Sequence, residues 1–208
     1  DYRAATEHFL RVGRMAPTSR IRATAEYDAA AALMQLKDWK TAAAVLTGFR
    51  ELFPGHELQP EVTKKIANVY REDGQFSPAA DEYERIEREA QDEEVRREAL
   101  LTAAELHEKA GNQARMLAVY RRSVEYFPHP AEPNLETRTK IAEALKKSND
   151  QDAYLAELRQ IVVIDAGAGG ERTPRTRYLA GKAALVLAEQ AFGRFAGVKL
   201  VETFKANL

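Results

Sequence analysis

The sequence predicts an all-α fold, an α-solenoid of antiparallel helix pairs with about eleven helices. Three observations predict it: a period of 37 residues, two amphipathic helical segments within each period, and a short polar turn between those segments. Periods of about 20–50 residues are typical of solenoids, in which each repeat packs only on its neighbours. The repeats are therefore expected to form one array rather than separate globular domains.

The 37-residue period is visible at four positions of the repeat. These positions hold a turn residue, a small residue that Met116 replaces once, a large apolar residue and, in three of the four periods, a proline. Their members are Asp1, Asp38, Gln75 and Asn112; Ala5, Ala42, Ala79 and Met116; Phe9, Leu46, Tyr83 and Tyr120; and Pro17, Pro54 and Pro128. The constant order predicts the same pair of helices in every period.

In the first full period, residues 22–36 and 39–53 place apolar side chains at steps of three and four, as one face of a helix requires. Lys37-Asp38 interrupts the pattern between the two segments. Pro54-Gly55 ends it, because proline cannot continue a helix and glycine tolerates a positive φ. The later periods repeat this arrangement, with turns expected at residues 73–74, 111–112 and 148–150.

The array is expected to span residues 1–208 as one unit. Its expected parts are the second helix of a truncated repeat over 1–17, four repeats over 20–54, 59–91, 94–128 and 133–165, and a fifth, irregular helix pair over 174–208. Asp1-Tyr2 stands where Asp38-Trp39 begins a second helix, so the chain is expected to be a fragment of a longer repeat protein. Any targeting segment would then lie outside it.

Residues 161–170, Ile-Val-Val-Ile-Asp-Ala-Gly-Ala-Gly-Gly, allow two interpretations. Taken alone, they look like a buried strand that leads into a phosphate-binding glycine loop. However, no Lys-Ser or Lys-Thr follows the glycines, and no other strand is predicted that would form a sheet. The preferred interpretation is the end of a helix, a loop over 166–175, and two further helices over 178–190 and 195–204.

Composition excludes several kinds of site. The chain has no cysteine, which excludes disulfides, thiolate zinc sites and cysteine nucleophiles. Its formal net charge is −1, so no overall field attracts nucleic acid, and the basic residues after 171 favour such a partner only as a second choice. No apolar run approaches the ~18–20 residues of a membrane helix, so no span is expected.

The charged residues and histidines predict no catalytic or metal site, and no cofactor is expected. Residues 81–98 carry nine acidic and four basic side chains and are expected to form a solvated helix face with i,i+4 ion pairs. No carboxylate stands in an apolar setting that would suit acid catalysis. The four histidines are expected in different helices or loops: His8, His56, His107 and His129. The chain is therefore not expected to be an enzyme.

A small residue also recurs midway through each first helix, at Ala30, Ala67, Ala104 and Ala142. Together with the positions above, it makes residues 1–165 resemble the tetratricopeptide repeat. The departures are a period of 37 rather than about 34 residues, Met116 in place of an alanine, and Gln91 in place of a proline. The resemblance implies a right-handed superhelix. The long period and the Arg- and Ala-rich composition look most like bacterial, envelope-associated members of the family.

The resemblance also implies a concave groove, lined by the first helix of each pair, that binds a peptide or helix of another protein. The residues it places there are Tyr27, Asp28, Ala31, Met34, Lys64, Lys65, Asn68, Arg71, Leu101, Thr102, Glu105, Glu108, Thr139, Lys140, Glu143 and Lys147. The candidate binding residues among them are Tyr27, Lys64, Asn68, Arg71, Thr102, Glu105, Lys140 and Glu143. His107 stands where other repeats have Leu33, Tyr70 and Leu145, so it is expected to line this groove or to pack against it.

Some members of the family hold a C-terminal carboxylate with a clamp of Lys, Asn and Arg. Lys64 and Asn68 match the first half of that clamp, and Lys140 would supply the later cation. Thr102 stands where an asparagine is expected, and Glu136 stands where a lysine is expected and would repel a carboxylate. A groove for a mixed-charge helix or an extended segment is therefore favoured over a clamp.

These observations predict a non-catalytic scaffold for protein–protein interaction. Two alternatives stay open. The chain would be a structural spacer or self-assembling segment of a larger bacterial envelope-associated repeat protein, or it would recruit substrate to a catalytic domain encoded elsewhere. The oligomeric state and the compartment also stay open, with the periplasm or cell envelope favoured over the cytoplasm.

Overall fold

A computed structural model describes residues 1–16, 18–19 and 21–198. The described part contains ten α-helices, one short 3-10 helix and no β-strand. The helices are α1 (Tyr2–Met15), α2 (Arg22–Gln35), α3 (Trp39–Leu52), α4 (Gln59–Glu72), α5 (Phe76–Glu89), α6 (Glu93–Lys109), α7 (Gln113–Tyr126), α8 (Ala131–Lys147), α9 (Gln151–Gly167) and α10 (Pro174–Ala196), with the 3-10 helix at Gly169–Glu171.

The prediction of an all-α fold is confirmed, and ten described helices are close to the eleven expected. The eleventh was expected over 195–204. Phe195 and Ala196 belong to the end of α10 instead, and residues 199–204 lie outside the described residues, as does the repeat position Pro17.

The chain divides into two compact units, Asp1–Val119 and a second that begins at Tyr120, with the boundary inside α7. In the first unit each helix from α1 to α5 packs on the next helix along the chain, so that the series ends with α5 on α6. In the second unit α8 packs on α9, and α10 packs on both. Contacts between successive helices are the ones that a helical repeat uses to bury its apolar faces.

Small and large residues alternate in the core of these units. The alanines midway through the first helices are all buried: Ala30, Ala67, Ala104 and Ala142. Between them Leu46, Phe49 and Ile66 are fully buried in the first unit. Small side chains allow helices to approach closely, and the large ones fill the remaining space to the density of a protein interior.

The turn inside each helix pair has the same geometry four times. The first helix is followed by one residue with positive φ, at Lys37, Gly74, Gly111 and Asn149. The next amide then donates to a carbonyl five residues earlier, in the pairs Asp38 to Leu33 (3.0 Å), Gln75 to Tyr70 (2.8 Å), Asn112 to His107 (2.8 Å) and Asp150 to Leu145 (3.1 Å). This is the Schellman arrangement, which satisfies carbonyls at the end of a helix.

Two of these turns also begin the second helix with an aspartate cap. The carboxylate of Asp38 accepts from the amide of Thr41 at 3.2 Å, and that of Asp150 accepts from Ala153 at 3.2 Å. A cap of this kind satisfies an amide that has no partner within the helix. One short motif therefore ends one helix and starts the next.

The region around residue 170 corrects the expected loop. Residues 161–165 lie inside α9, which continues to Gly167, so the alternative of a strand and a phosphate-binding loop is wrong. The loop expected over 166–175 is shorter, because the 3-10 helix occupies its middle and α10 already begins at Pro174.

A capping box explains why α10 begins earlier than Tyr178, where the sequence placed it. The Thr173 hydroxyl accepts from the Thr176 amide at 3.1 Å, and the Thr176 hydroxyl accepts from the Thr173 amide at 3.1 Å. Pro174 is the first helical residue, where a missing amide costs nothing. The proline that suggested a loop therefore starts a helix.

The acidic segment 81–98 also differs from the expectation of a solvated face. Glu82, Glu84 and Glu87 are buried. Each has a cationic or imidazole partner on another helix: Arg50 for Glu82 (2.6 Å), His107 for Glu84 (3.1 Å) and Arg96 for Glu87 (2.8 Å). Buried carboxylates need such partners, so this part of the segment fastens helices together.

Candidate partner-binding surface

The predicted residues of the first unit begin with Tyr27 on α2. The Lys65 ammonium of α4 lies 4.9 Å from the centre of its ring, a cation–π contact. Both side chains are partly buried. The contact shows that side chains of α2 and α4, the first helices of two successive pairs, meet at this point.

Asn68 and Arg71 are joined by a hydrogen bond at the surface. Arg71 Nη2 donates to Asn68 Oδ1 at 2.8 Å, and Arg71 Nη1 donates to the Tyr83 hydroxyl at 3.3 Å. Arg71 is exposed, so its guanidinium is presented at the surface in an orientation fixed by two neighbours. A preoriented guanidinium suits a carboxylate or carbonyl ligand, because less side-chain entropy is lost on binding.

Lys64 is engaged more weakly. Its ammonium lies 2.8 Å from Glu61 Oε1, and both side chains are about half exposed. Surface pairs of this kind contribute little to stability, so an incoming anion would replace Glu61 at small cost. On α6, Thr102 is partly buried and Glu105 is exposed, and a separation of three residues places them on the same helical face.

In the second unit the predicted residues Lys140 and Glu143 are exposed on α8, three residues apart. Lys140 Nζ lies 5.7 Å from the centre of the Tyr120 ring. Glu143 belongs to the lining of a cavity of about 190 Å³ between α8, α9 and α10.

The lining of this cavity is largely apolar. Its apolar members are Ala142, Tyr154, Leu158, Ile161, Leu179, Ala183 and Val186. The polar members are Thr139, Glu143, Lys146 and Lys182. An apolar cavity of about 150 Å³ is large enough for benzene, so this one has room for one large apolar side chain. The lysines and the glutamate give it charged neighbours of both signs.

Most of this cavity was not predicted from the sequence. The predicted site residues lie on first helices only, whereas α9, a second helix, supplies three of the lining residues. Leu179 and Ala183 form an apolar stripe on α10 that was visible in the sequence, but a stripe alone does not show that space remains beside it. Cavities arise from imperfect packing between helices, which periodicity does not encode.

A second, larger cavity of about 300 Å³ lies elsewhere in this unit and is less suited to a ligand. Two of its polar lining residues already have internal partners. Asn134 Nδ2 donates to the carbonyls of Val124 and Phe127, and Arg138 Nη1 donates to Glu157 at 2.6 Å. These two polar side chains are therefore already engaged in hydrogen bonds that stabilise the fold.

The two carboxyl groups with lowered pKa values, Asp165 and Glu171, belong to the connection between α9 and α10. The Arg172 guanidinium, helped by the Thr176 hydroxyl, holds the pKa of Asp165 below its ordinary value. Hydrogen bonds from His129 and from the Ala131 amide lower the pKa of Glu171. Both carboxylates fasten loop residues to helices, so these shifts reflect structure rather than catalysis.

Successive antiparallel helix pairs, a repeated left-handed turn and small residues at fixed intervals define a helical repeat protein. Residues 98–129 match the model of the tetratricopeptide repeat family. The chain therefore contains one tetratricopeptide repeat at residues 98–129, as the resemblance implied. Repeats of this kind stack into surfaces that bind other proteins, and the class is typically non-enzymatic.

Solved structures of repeat proteins are similar to this chain. One, from Podospora anserina, contains nearly identical TPR-like repeats and carries a single substitution. It is 14% identical, with a TM-score of 0.50, and the likeness covers 81% of this chain and 86% of that one. Another is YrrB, a TPR protein with an unusual peptide-binding site, at 15% identity and a TM-score of 0.42, covering 92% and 98%. The first likeness supports the fold alone.

No curated protein matches the sequence. Among the described helices, none is sufficiently long and apolar to span a membrane.

Proposed function

We propose that the chain is a non-catalytic scaffold that binds a peptide or helical segment of a partner protein along the first helices of its pairs. The observation that supports this most is the cavity between α8, α9 and α10. Lys140 and Glu143, two of the predicted binding residues, lie on α8, and Glu143 lines the cavity itself. We also propose that residues 1–208 form a single array of repeats.

The lining suggests which ligand would fit. An apolar side chain of the partner would enter the cavity, because Leu158, Leu179 and Val186 offer it no hydrogen bonds. Lys146 and Lys182 would pair with acidic residues beside that anchor. A buried anchor with charged neighbours is the usual arrangement of an interface, in which the anchor supplies affinity and the charges supply specificity.

The first unit offers a different chemistry. Arg71 presents an ordered guanidinium, and Lys64 a weakly held ammonium, while Glu105 adds an exposed acid. A partner with both acidic and basic residues would therefore complement this surface better than a single C-terminal carboxylate. The preference for a mixed-charge segment over a carboxylate clamp is retained.

The test is a pull-down from a lysate of the source organism, with the immobilised chain and two charge-reversal variants as baits. Mass spectrometry identifies the captured proteins. Lys140→Glu/Lys182→Glu reverses two exposed lysines on the cavity helices. Arg88→Glu/Arg121→Glu changes the net charge equally at two exposed residues that do not line the cavity. We expect a partner that the wild type and the control retain and the Lys140/Lys182 variant loses. Equal capture by all three chains, or capture by none, would contradict the proposal.

One observation favours self-assembly as a second candidate. α10 exposes Tyr178, Leu185, Phe192 and Phe195, each more than half exposed, at steps of seven, seven and three. That spacing is typical of a seam between two helices. Sedimentation of the wild type and of Leu185→Ser/Phe192→Ser over a range of concentrations tests it. Association that the variant loses supports self-assembly, whereas monomers at every concentration exclude it.

A further inference from the structure

Three potential metal ligands converge between α5 and α6. The carboxylates of Asp81 and Glu84 and the imidazole of His107 place one ligand atom each within 4.8 Å of the other two. The two carboxylates are three residues apart on α5, so they share one face of that helix. His107 is contributed by α6.

His107 is the member that a purely structural role explains least. Its ring is fully buried, its Nε2 lies 3.1 Å from Glu84 Oε1, and its Nδ1 has no hydrogen-bond partner. The other repeats place Leu33, Tyr70 and Leu145 at this position, so packing alone does not require an imidazole. The unpartnered Nδ1 points away from Glu84, so Nε2 is the nitrogen that would bind an ion, and the fully buried imidazole itself is the feature that needs an explanation.

The distances already approach those of a coordination sphere. Ligands that lie about 2.0–2.2 Å from a tetrahedral zinc ion lie about 3.3–3.6 Å from one another. The separation of Glu84 Oε1 from His107 Nε2, 3.1 Å, is a hydrogen-bond distance that lies just below that range. Asp81 is half exposed, so rotation of its side chain can bring it closer without disturbing the core.

Arg115 of α7 is the group with which an ion would compete. Its Nη1 lies 2.8 Å from Asp81 Oδ1, and its Nη2 lies 3.5 Å from Glu84 Oε1. Its side chain is about half exposed and can turn toward solvent. The guanidinium therefore neutralises the two carboxylates from the open side while His107 closes the buried side.

We propose that Asp81, Glu84 and His107 form a binding site for a divalent cation that accepts imidazole, with Zn²⁺ as the preferred ion and Arg115 displaced when it binds. Two carboxylates and one imidazole are a ligand set that zinc accepts, and water completes the coordination on the exposed side. The ion would join α5 to α6 and so stabilise the folded chain. The proposal is independent of partner binding.

The test is calorimetric titration of the untagged chain with Zn²⁺ and, separately, with Mg²⁺. We expect one Zn²⁺ per chain and no Mg²⁺, because Mg²⁺ prefers oxygen ligands in a strict octahedron. Asp81→Asn should weaken Zn²⁺ binding at least about tenfold, as loss of a ligand does. Arg115→Gln should tighten binding about tenfold, because it removes a competing positive charge.

Two further variants complete the test. His107→Asn should abolish binding, and circular dichroism checks that the chain remains folded without this buried ring. His8→Asn, at an exposed histidine of α1, should bind Zn²⁺ as the wild type does.

No Zn²⁺ binding by the wild type would overturn the proposal even if Arg115→Gln bound the ion, since Arg115 would then be the resident cation of the cluster. Binding that Asp81→Asn and His107→Asn both retain would overturn it as well.

Discussion

The guanidinium of Arg50 and the carboxylate of Glu82 form a two-point ion pair, with Nη1 to Oε2 at 2.6 Å and Nη2 to Oε1 at 3.0 Å. The pair joins α3 to α5, the second helices of two successive helix pairs. Its side chains are only 19% and 11% exposed, so water screens the interaction weakly. Repeat stacking is therefore held by a specific polar contact as well as by apolar burial.

Removing one partner of this pair should destabilise the chain. We expect Glu82→Ala to lower the free energy of unfolding by about 1–3 kcal/mol, because Arg50 is left partly buried without its carboxylate. The exposed pair Lys64–Glu61 is the control, since its side chains are 53% exposed and Glu61→Ala should change stability by at most about 0.5 kcal/mol. Urea unfolding measures both. Equal losses of unfolding free energy in Glu82→Ala and Glu61→Ala would show that the Arg50–Glu82 pair contributes no more to stability than an exposed pair.

Substitutions at two left-handed turn residues should change the stability of the chain in opposite directions. Lys37 has φ of 56° and Gly74 has φ of 73°, and a Cβ added at Gly74 would meet no atom within 4 Å. Backbone strain alone should therefore make Gly74→Ala less stable by about 1 kcal/mol and Lys37→Gly more stable by about 0.5–1 kcal/mol. Thermal and urea unfolding check the signs. Stabilisation by Gly74→Ala would show that the turn relaxes to another conformation.

Asp165 should make the stability of the chain depend on pH in the acid range. Arg172 donates to its Oδ2 from Nη2 at 2.7 Å, and Thr176 donates to Oδ1 at 2.7 Å. Because these bonds lower the folded-state pKa, the stabilisation is complete above the ordinary aspartate pKa of about 3.9. This stabilisation is lost as the pH falls through the lowered folded-state pKa of Asp165, below which the carboxyl group is protonated in the folded and the unfolded chain alike.

The measurement is the free energy of unfolding between about pH 2 and 6 for the wild type and Asp165→Asn. The variant should be less stable at the upper end, and the difference should shrink toward the acid end, since the variant has no charge there to lose. Parallel curves for the two chains would mean that Asp165 makes no pH-dependent contribution.

The sequence predicted the helices and turns of the repeats closely. The segments expected over 22–36 and 39–53 are α2 and α3 to within one residue. Periodicity succeeds here because each helix must bury a stripe at a fixed spacing, and because the turn residues have strong local preferences.

Prediction failed where tertiary contacts decide. Glu84 and His107 lie 23 residues apart and meet only because α5 packs on α6. The signal available in the sequence was a histidine at a position that is otherwise Leu or Tyr. Similarly, Pro174 looked like the end of a loop, because its capping partners Thr173 and Thr176 are ordinary residues until the helix is placed. The groove residues stay a prediction, since a binding surface shows itself only with its partner.

The most direct test of the scaffold is photocrosslinking in cells of the source organism. A photoreactive phenylalanine analogue would replace Thr139, in the cavity lining of α8, and in a second chain Gln160, an exposed residue of α9 outside that lining. We predict one crosslinked partner from position 139, none from position 160, and loss of the product in the Lys140→Glu/Lys182→Glu background. The same product from both positions, or none from position 139, would contradict a partner-binding surface on α8.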